Sequence, residues 1–453
     1  MDASAMFLYM IPFQGKYIIY RPLLPLAFVG NRAMADLCSR LYADSSALIG
    51  KDERQAYDFL KAAGFLDPDG PPPASSAEES VYKPTTCVLF PTTRCNLGCT
   101  YCYAQGGGDL RQTLPLSMAR AAIRKICEHA MEQGLERYSL CFHGSGEPTM
   151  AWRFLKKCVA YARQQPLPVS INLTTNGVWT AEKRAWLLDN IDEISLSFDG
   201  PAAIQNRQRP LRSGKGSFVQ VMKTIEEMDR QGKSYGIRVT VTEENISDIP
   251  EIVAFICSET GACALQVEPA FNYGRARRNR LAVETDEQFA RAFLEGFDIA
   301  CKHRRHMYYS GARPWLLTDR FCEAFSKALI VGPDGFITSC YEVCSRDHDL
   351  AGSFHFGNMG RNGGLTLNLQ VRSNLLARIG ERRQTCRDCF CYFHCAGDCP
   401  SKTFSQAMMG FPARGSRCRL NQTITKELIG RYILQGQGIW KGGLQAECPE
   451  PVL

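Results

Sequence analysis

From Lys83 to Arg304 the chain alternates six apolar runs of strand length with longer amphipathic segments, and this repeat limits the fold more than any other feature of its 453 residues. The expected strands are Cys87 to Pro91, Tyr138 to His143, Val169 to Thr175, Glu193 to Phe198, Gly236 to Val241 and Ala264 to Glu268. Helical spacing of apolar residues follows each of them after the first connection, at Ser117 to Glu132, Ala151 to Arg163, Ala181 to Asn190, Phe218 to Gln231, Ile249 to Thr260 and Asp286 to Arg304. Six strand-helix units in succession imply an α/β fold with a parallel sheet, curled into a full or partial barrel. In such a fold the working loops lie at the C-terminal ends of the strands.

The regions on either side do not follow this repeat. Residues 1–66 read as a small module in which the strand Lys16 to Tyr20 precedes helical segments at Asn31 to Tyr42 and Asp52 to Ala63. Residues 67–82, rich in Pro, Gly, Ser and acidic side chains, read as a solvated linker. The barrel is expected over 83–313. Beyond it, 314–453 has little apolar periodicity until the helical stretch Arg419 to Tyr432, so bound metal is the expected source of its stability.

Cysteine is the unusual residue in the composition, 21 in one chain. A cytosolic chain of this size does not need disulfides, so metal ligation is the better explanation. The formal net charge of +7 counts thiols as neutral, and thiolates holding iron would offset it. Charge therefore gives no argument for a nucleic-acid partner. The basic run Gly274 to Arg280 is expected to form a solvated face. No apolar run approaches the ~20 residues that span a bilayer. The N-terminus has no basic start and no small-residue cleavage site, so the cytoplasm is the expected compartment.

Three motifs carry chemistry. Cys95, Cys99 and Cys102 are spaced CxxxCxxC directly after the first expected strand, with Tyr101 before the last cysteine. Three thiolates on one loop can hold three irons of a cubane and leave the fourth open, whereas a zinc loop usually closes with four ligands. At the end of the second strand stands Gly144-Ser145-Gly146-Glu147-Pro148, where glycines allow close backbone approach and the carboxylate can accept from an ammonium group. Asn176, Ser197 and Arg209 follow at or beyond the ends of strands three and four.

With these residues the chain resembles the radical S-adenosylmethionine (SAM) superfamily. The resemblance implies a [4Fe-4S] cluster on Cys95, Cys99 and Cys102 whose fourth iron is chelated by SAM. Tyr101, Gly144, Ser145, Gly146, Glu147, Asn176, Ser197 and Arg209 would contact SAM, with Ser145 standing where the family's motif has a glycine.

The third motif is C-terminal: Cys322, then Gly335 to Cys340, then Cys386, Cys389, Cys395 and Cys399, and last Cys418. This spacing resembles the seven-cysteine SPASM domain, which implies two auxiliary [4Fe-4S] clusters. Cys322, Cys340 and Cys399 would hold the first, and Cys386, Cys389, Cys395 and Cys418 the second. Some relatives supply a fourth ligand to the first cluster where this chain has Ala328. Cys344 could substitute, or the iron could stay open for a substrate thiolate. Cys391 reads as structural.

Enzymes of this kind mostly act on peptides or proteins, and residues 1–66, with Ala63-Gly-Phe-Leu66, resemble the winged-helix module that recognises precursor peptides. The preferred expectation is a maturase that cross-links a ribosomal precursor peptide bearing a leader, with flavodoxin or ferredoxin as reductant. The alternatives are a peptide epimerase, a formylglycine-forming sulfatase maturase, and a non-catalytic iron-sulfur electron carrier. The sulfatase reading loses ground because that family has an Asp directly after the cysteine, where this chain has Tyr341 followed by Glu342, here the candidate catalytic carboxylate.

Overall fold

The computed structural model describes residues 7–73, 82–108, 111–284, 286–408, 410 and 415–443. Half of the expected linker, 74–81, lies outside them.

Seven parallel strands run in chain order across one sheet: β4 (Thr86–Leu89), β5 (Tyr138–Phe142), β6 (Val169–Thr175), β7 (Glu193–Ser197), β8 (Tyr235–Val241), β9 (Ala264–Pro269) and β10 (His306–Tyr308). Six of them are the expected strands, and β10 is an addition. Helices 116–132, 152–163, 181–190, 218–230, 249–259 and 286–302 alternate with them. The sheet does not close, which makes this a partial barrel.

Period-2 alternation decides what each face does. On the side covered by helices, Leu140, Phe142, Ile171, Leu173, Ile194, Leu196, Ile237 and Val239 are buried in the main core. The alternate residues face the lumen and are polar and half-buried: Ser139, Cys141 and His143 on β5 and just beyond it, Ser195 and Ser197 on β7, and Arg238 and Thr240 on β8. A polar lumen is suited to holding a ligand and poorly suited to being a core.

The cysteine-rich region holds more regular structure than its sequence suggests. Strand β11 (Ala328–Val331) pairs parallel with β4, and β12 (Phe336–Thr338), β13 (His355–Met359) and β14 (Leu365–Leu367) continue the same sheet antiparallel. The sheet thus runs through the expected boundary at 313/314. The final helix is Ser416–Gln435.

The N-terminal module is a four-stranded antiparallel sheet, β1 (Tyr9–Phe13), β2 (Lys16–Arg21), β3 (Leu26–Gly30) and β15 (Ile439–Trp440), in that order. Two helices, Arg32–Ala43 and Arg54–Ala63, cover one face around Ile19, Phe28, Leu37, Leu41 and Leu60. Asn31 caps the first by accepting from Met34 N, and Gly64 ends the second with φ +81°. Ile18, Tyr20 and Ala27 on the other face join the main core, where Tyr20 stacks on Trp440 and its hydroxyl meets the ring of His394. The module is therefore packed onto the body of the protein.

Candidate active site

The three-cysteine loop leaves the C-terminal end of β4, and its thiols lie together. Burial first, then Cys99 and Glu147, push the Cys95 thiol up to about 12. Burial likewise raises Cys99 to about 11 against the pull of Arg209, with Cys102 adding to the rise. Such thiols stay protonated near neutrality until a metal displaces the proton, so loading the site releases protons. Among the described residues no three His, Cys, Asp or Glu side chains converge as they would around a single ion.

The Gly144–Pro148 loop is built against this cysteine loop. Glu147 N donates to Arg94 O at 2.9 Å. A Cβ on Gly146 would drive into the backbone of Thr92–Arg94, so only glycine permits the approach. The buried Glu147 carboxylate is held on several sides: Oε1 accepts from Thr149 N, Thr149 Oγ1 and Thr175 Oγ1, and Oε2 from Asn176 N at 2.9 Å. Oε2 therefore keeps one acceptor position. Ser145 turns the other way, its hydroxyl donating to Cys344 O at 3.0 Å, so that side chain joins the loop to the C-terminal region.

Asn176 fastens the next strand end to the cysteine loop through Nδ2, which donates to Asn96 Oδ1 at 2.8 Å. Tyr101 is buried, with its hydroxyl donating to Asp199 at 2.7 Å and accepting from Arg209 Nη1 at 2.6 Å. Burial raises the Asp199 carboxyl, while Arg209 pulls it down. Arg209 Nε is buried without a partner, and half-buried Ser197, at the end of β7 and shortly before it in sequence, makes no side-chain hydrogen bond through its hydroxyl among the described residues. A free guanidinium donor, a free hydroxyl and a spare carboxylate acceptor fit the carboxylate, hydroxyls and ammonium of SAM.

The C-terminal cysteines fall into two groups. Cys322, Cys340 and Cys399 influence one another electrostatically, and burial raises all three thiols. Glu342 stands beside them: its N donates to Cys340 Sγ at 3.4 Å, its carboxylate accepts from Ser401 Oγ at 2.9 Å, and Lys402 Nζ is 3.6 Å away. Burial alone would raise Glu342, yet Lys402 and Ser401 together hold it below the ordinary carboxylate range. Cys344, the alternative ligand for this group, has Cys102 as its nearest thiol influence and lies against Ser145. The second group, Cys386, Cys389, Cys395 and Cys418, lines a small pocket with Cys391. Asn421 and Gln422 donate into it, to Cys395 Sγ and Cys389 Sγ, both at 3.3 Å.

Sequence reasoning missed several groups that share the lumen. His143 lies 5.0 Å, ring to ring, from Tyr341, with its Nδ1 buried and unpartnered. Burial, then Arg238, lowers it to about 3. Arg238 projects from β8 toward Tyr103, Tyr308, Tyr341 and Glu342. An isolated His or Arg in an otherwise ordinary strand gives no sequence signal. The basic run Gly274 to Arg280, expected to be solvated, packs in part against the cysteine loop, with Arg275 Nε donating to Cys99 O at 2.7 Å.

Residues 89–256 match the family described as the Radical SAM superfamily. The chain is 27% identical over 303 residues to the sporulation killing factor maturation protein SkfB of Bacillus subtilis, covering 64% of this chain and 68% of that protein. It is 25% identical over 326 residues to the serine-type anaerobic sulfatase-maturating enzyme of Klebsiella aerogenes, covering 68% and 77%. Its fold is similar to that of native anSMEcpe with bound AdoMet and Cp18Cys peptide, at a TM-score of 0.60, 17% identity, and coverage of 78% and 98%. No helix among the described residues is long and apolar enough to cross a membrane. With its open parallel sheet and its three-cysteine loop, the chain carries a radical SAM domain over residues 89–256 and is an enzyme, and the cysteine spacing of its C-terminal region fits a SPASM domain.

Proposed function

We propose that this enzyme matures a ribosomal precursor peptide by joining two of its residues through a thioether or carbon-carbon bond. The observation that carries the reading is the placing of three thiols at the mouth of a polar lumen, with two further cysteine groups in the C-terminal region. Two relatives bear maturation names, one for a sporulation killing factor and one for sulfatases.

Cys95, Cys99 and Cys102 would hold the catalytic [4Fe-4S] cluster, which when bound supplies the electron that cleaves SAM and so the radical that removes hydrogen from a C–H bond. The chain's own residues orient the reactants. Arg209 Nε and Ser197 would bind the carboxylate and a hydroxyl of SAM, and Glu147 Oε2 its ammonium. The Tyr101–Asp199 pair fixes the Arg209 guanidinium so that little reorganisation is needed. Cys322, Cys340 and Cys399 would hold one auxiliary cluster, and Cys386, Cys389, Cys395 and Cys418 the other. Glu342, ionised and beside the first of these groups, would accept the proton released from the substrate. A reduced flavodoxin or ferredoxin would deliver the electron.

The leader would dock on residues 1–66 by strand addition. There β15 covers part of the β3 edge, and β1 is open but carries Pro12, which has no N–H to give.

A second reading, oxidation of a single serine or cysteine in a sulfatase, is favoured by the similarity to a serine-type anaerobic sulfatase-maturating enzyme and opposed by the absence of an Asp directly after Cys340. Both are tested by high-resolution mass spectrometry of the candidate peptide after anaerobic incubation with reconstituted enzyme, reductant and SAM in heavy water. Loss of two hydrogens mapped between two residues supports cross-linking. The same loss at one serine supports the sulfatase reading, and a deuterium fixed at an α-carbon without hydrogen loss means epimerisation.

A further inference from the structure

The segment after β9 turns back over the three-cysteine loop and grips it. Gly274 has φ +50°, and a Cβ there would collide with the carbonyls of Cys102 and Tyr103. The next residue, Arg275, donates from its backbone N to Cys102 O at 3.0 Å, from Nε to Cys99 O at 2.7 Å and from Nη1 to Gly106 O at 3.2 Å. Asn279 Nδ2 donates to Thr100 O at 2.7 Å, and Arg278 meets the Gln105 side chain. A loop that arranges three thiols around a cluster cannot also pair its own carbonyls in a helix or sheet. Within the loop Cys99 O and Cys102 O accept only at 3.4 Å, from Cys102 N and Gln105 N, and Arg275 adds shorter bonds, to Cys102 O from its backbone and to Cys99 O from its guanidinium, whose fork also reaches Gly106 O.

Charge makes a second case. The guanidinium groups of Arg209 and Arg275 both stand against the cysteine loop, the first at the Tyr101 hydroxyl and the second at Cys99 O. Arg209 is offset by buried Asp199 at the shared Tyr101 hydroxyl, and Arg277 pairs with Asp349 at 3.0 Å. Arg275 has no carboxylate partner among the described residues, so its charge stays uncompensated against the loop. The same segment also reaches the first auxiliary cysteine group, since Tyr273 Oη donates at 2.7 Å to the carbonyl of Ser401, whose hydroxyl lies 3.2 Å from Cys399 Sγ.

We propose that Arg275 is a positioning residue for the cluster on Cys95, Cys99 and Cys102: its guanidinium locks the loop that spans the three thiolates, and its charge makes the bound cluster easier to reduce. This rests on the assignment of those three cysteines as ligands. Partners outside the ligands themselves commonly govern both metal retention and reduction potential. Lysine would keep the charge and lose the fork.

The test uses anaerobically reconstituted holoenzyme in four forms: the natural chain, R275Q, R275K and N279A, with C102A as the control for ligation. Iron loss to a chelator and the midpoint of the SAM-responsive paramagnetic signal are measured, with circular dichroism and the auxiliary-cluster signals confirming the fold. R275Q is expected to lose iron roughly tenfold or more faster and to shift its midpoint to more negative potential. R275K should lose iron fast with a midpoint near that of the natural chain, and N279A should loosen the iron without moving the midpoint. Natural iron retention and midpoint in R275Q overturn the proposal, and so does an equal midpoint shift in R275Q and R275K, which would leave Arg275 only a packing role. A SAM-responsive signal that survives in C102A overturns the ligand assignment instead, a result that does not depend on residue 275.

Discussion

Arg209 donates through Nη1 to the hydroxyl of Tyr101 at 2.6 Å while its Nε, equally buried, has no partner. One end of the guanidinium is thus fixed by the protein and the other is left for a ligand. Arg209→Lys should weaken SAM binding by about 1.5–3 kcal/mol, roughly ten- to hundredfold in Kd. Equilibrium dialysis with the reconstituted enzyme checks this, and unchanged affinity would remove Arg209 from the SAM site.

The thiol of Cys344 is acted on by Cys102 and Ser145, whereas Cys322, Cys340 and Cys399 act on one another. Cys344→Ala should therefore leave total iron unchanged, whereas Cys340→Ala should lose the iron of one cluster. Iron analysis of the two variants, purified and reconstituted side by side, decides the point.

His306 is buried, 4% exposed, and burial lowers it to about 4. Unfolded, it would titrate near 6.5, so between those values the unfolded chain binds the extra proton and stability rises with pH. The contribution is complete above about pH 6.5 and is lost as pH falls toward 4, about 3 kcal/mol over the window. His306→Leu should flatten that part of the profile, read from urea midpoints at pH 7.5, 6 and 5.

Trp440 is 1% exposed and stacks on Tyr432 and Tyr20 with ring centroids 5.3 and 6.2 Å away. Trp440→Ala should cost about 3–5 kcal/mol, measured by denaturant unfolding. Most of that loss should appear as increased proteolysis within residues 7–66, since Trp440 holds β15 in their sheet.

The main sheet was legible because each of its first six strands is an apolar run bounded by turn residues and separated from the next by a helical period. The C-terminal strands were not, since β11, β12 and β14 have only three or four residues each and gain their stability by joining a sheet built elsewhere in the chain. The cysteines announced themselves by spacing. Ser145 did not, because its position beside two glycines suggests a ligand contact while its hydroxyl is taken by Cys344 O. Nor did Arg275, whose three neighbouring basic residues, Arg277, Arg278 and Arg280, suggest a wetted surface. Its carbonyl partners lie more than 160 residues earlier, a distance that local pattern cannot bridge.

The pairing of β3 with β15 sets an order on biosynthesis. A ribosome delivers β1 to β3 first, but the strand that completes their sheet emerges only after the barrel and every cysteine of the two C-terminal groups. The N-terminal sheet must therefore wait, with Tyr20 unstacked and β3 uncovered, through the whole period in which the cysteine loops are exposed to the iron-sulfur supply. Completion of that sheet reports that translation has passed residue 440, and it closes the protein only once all the ligand loops exist.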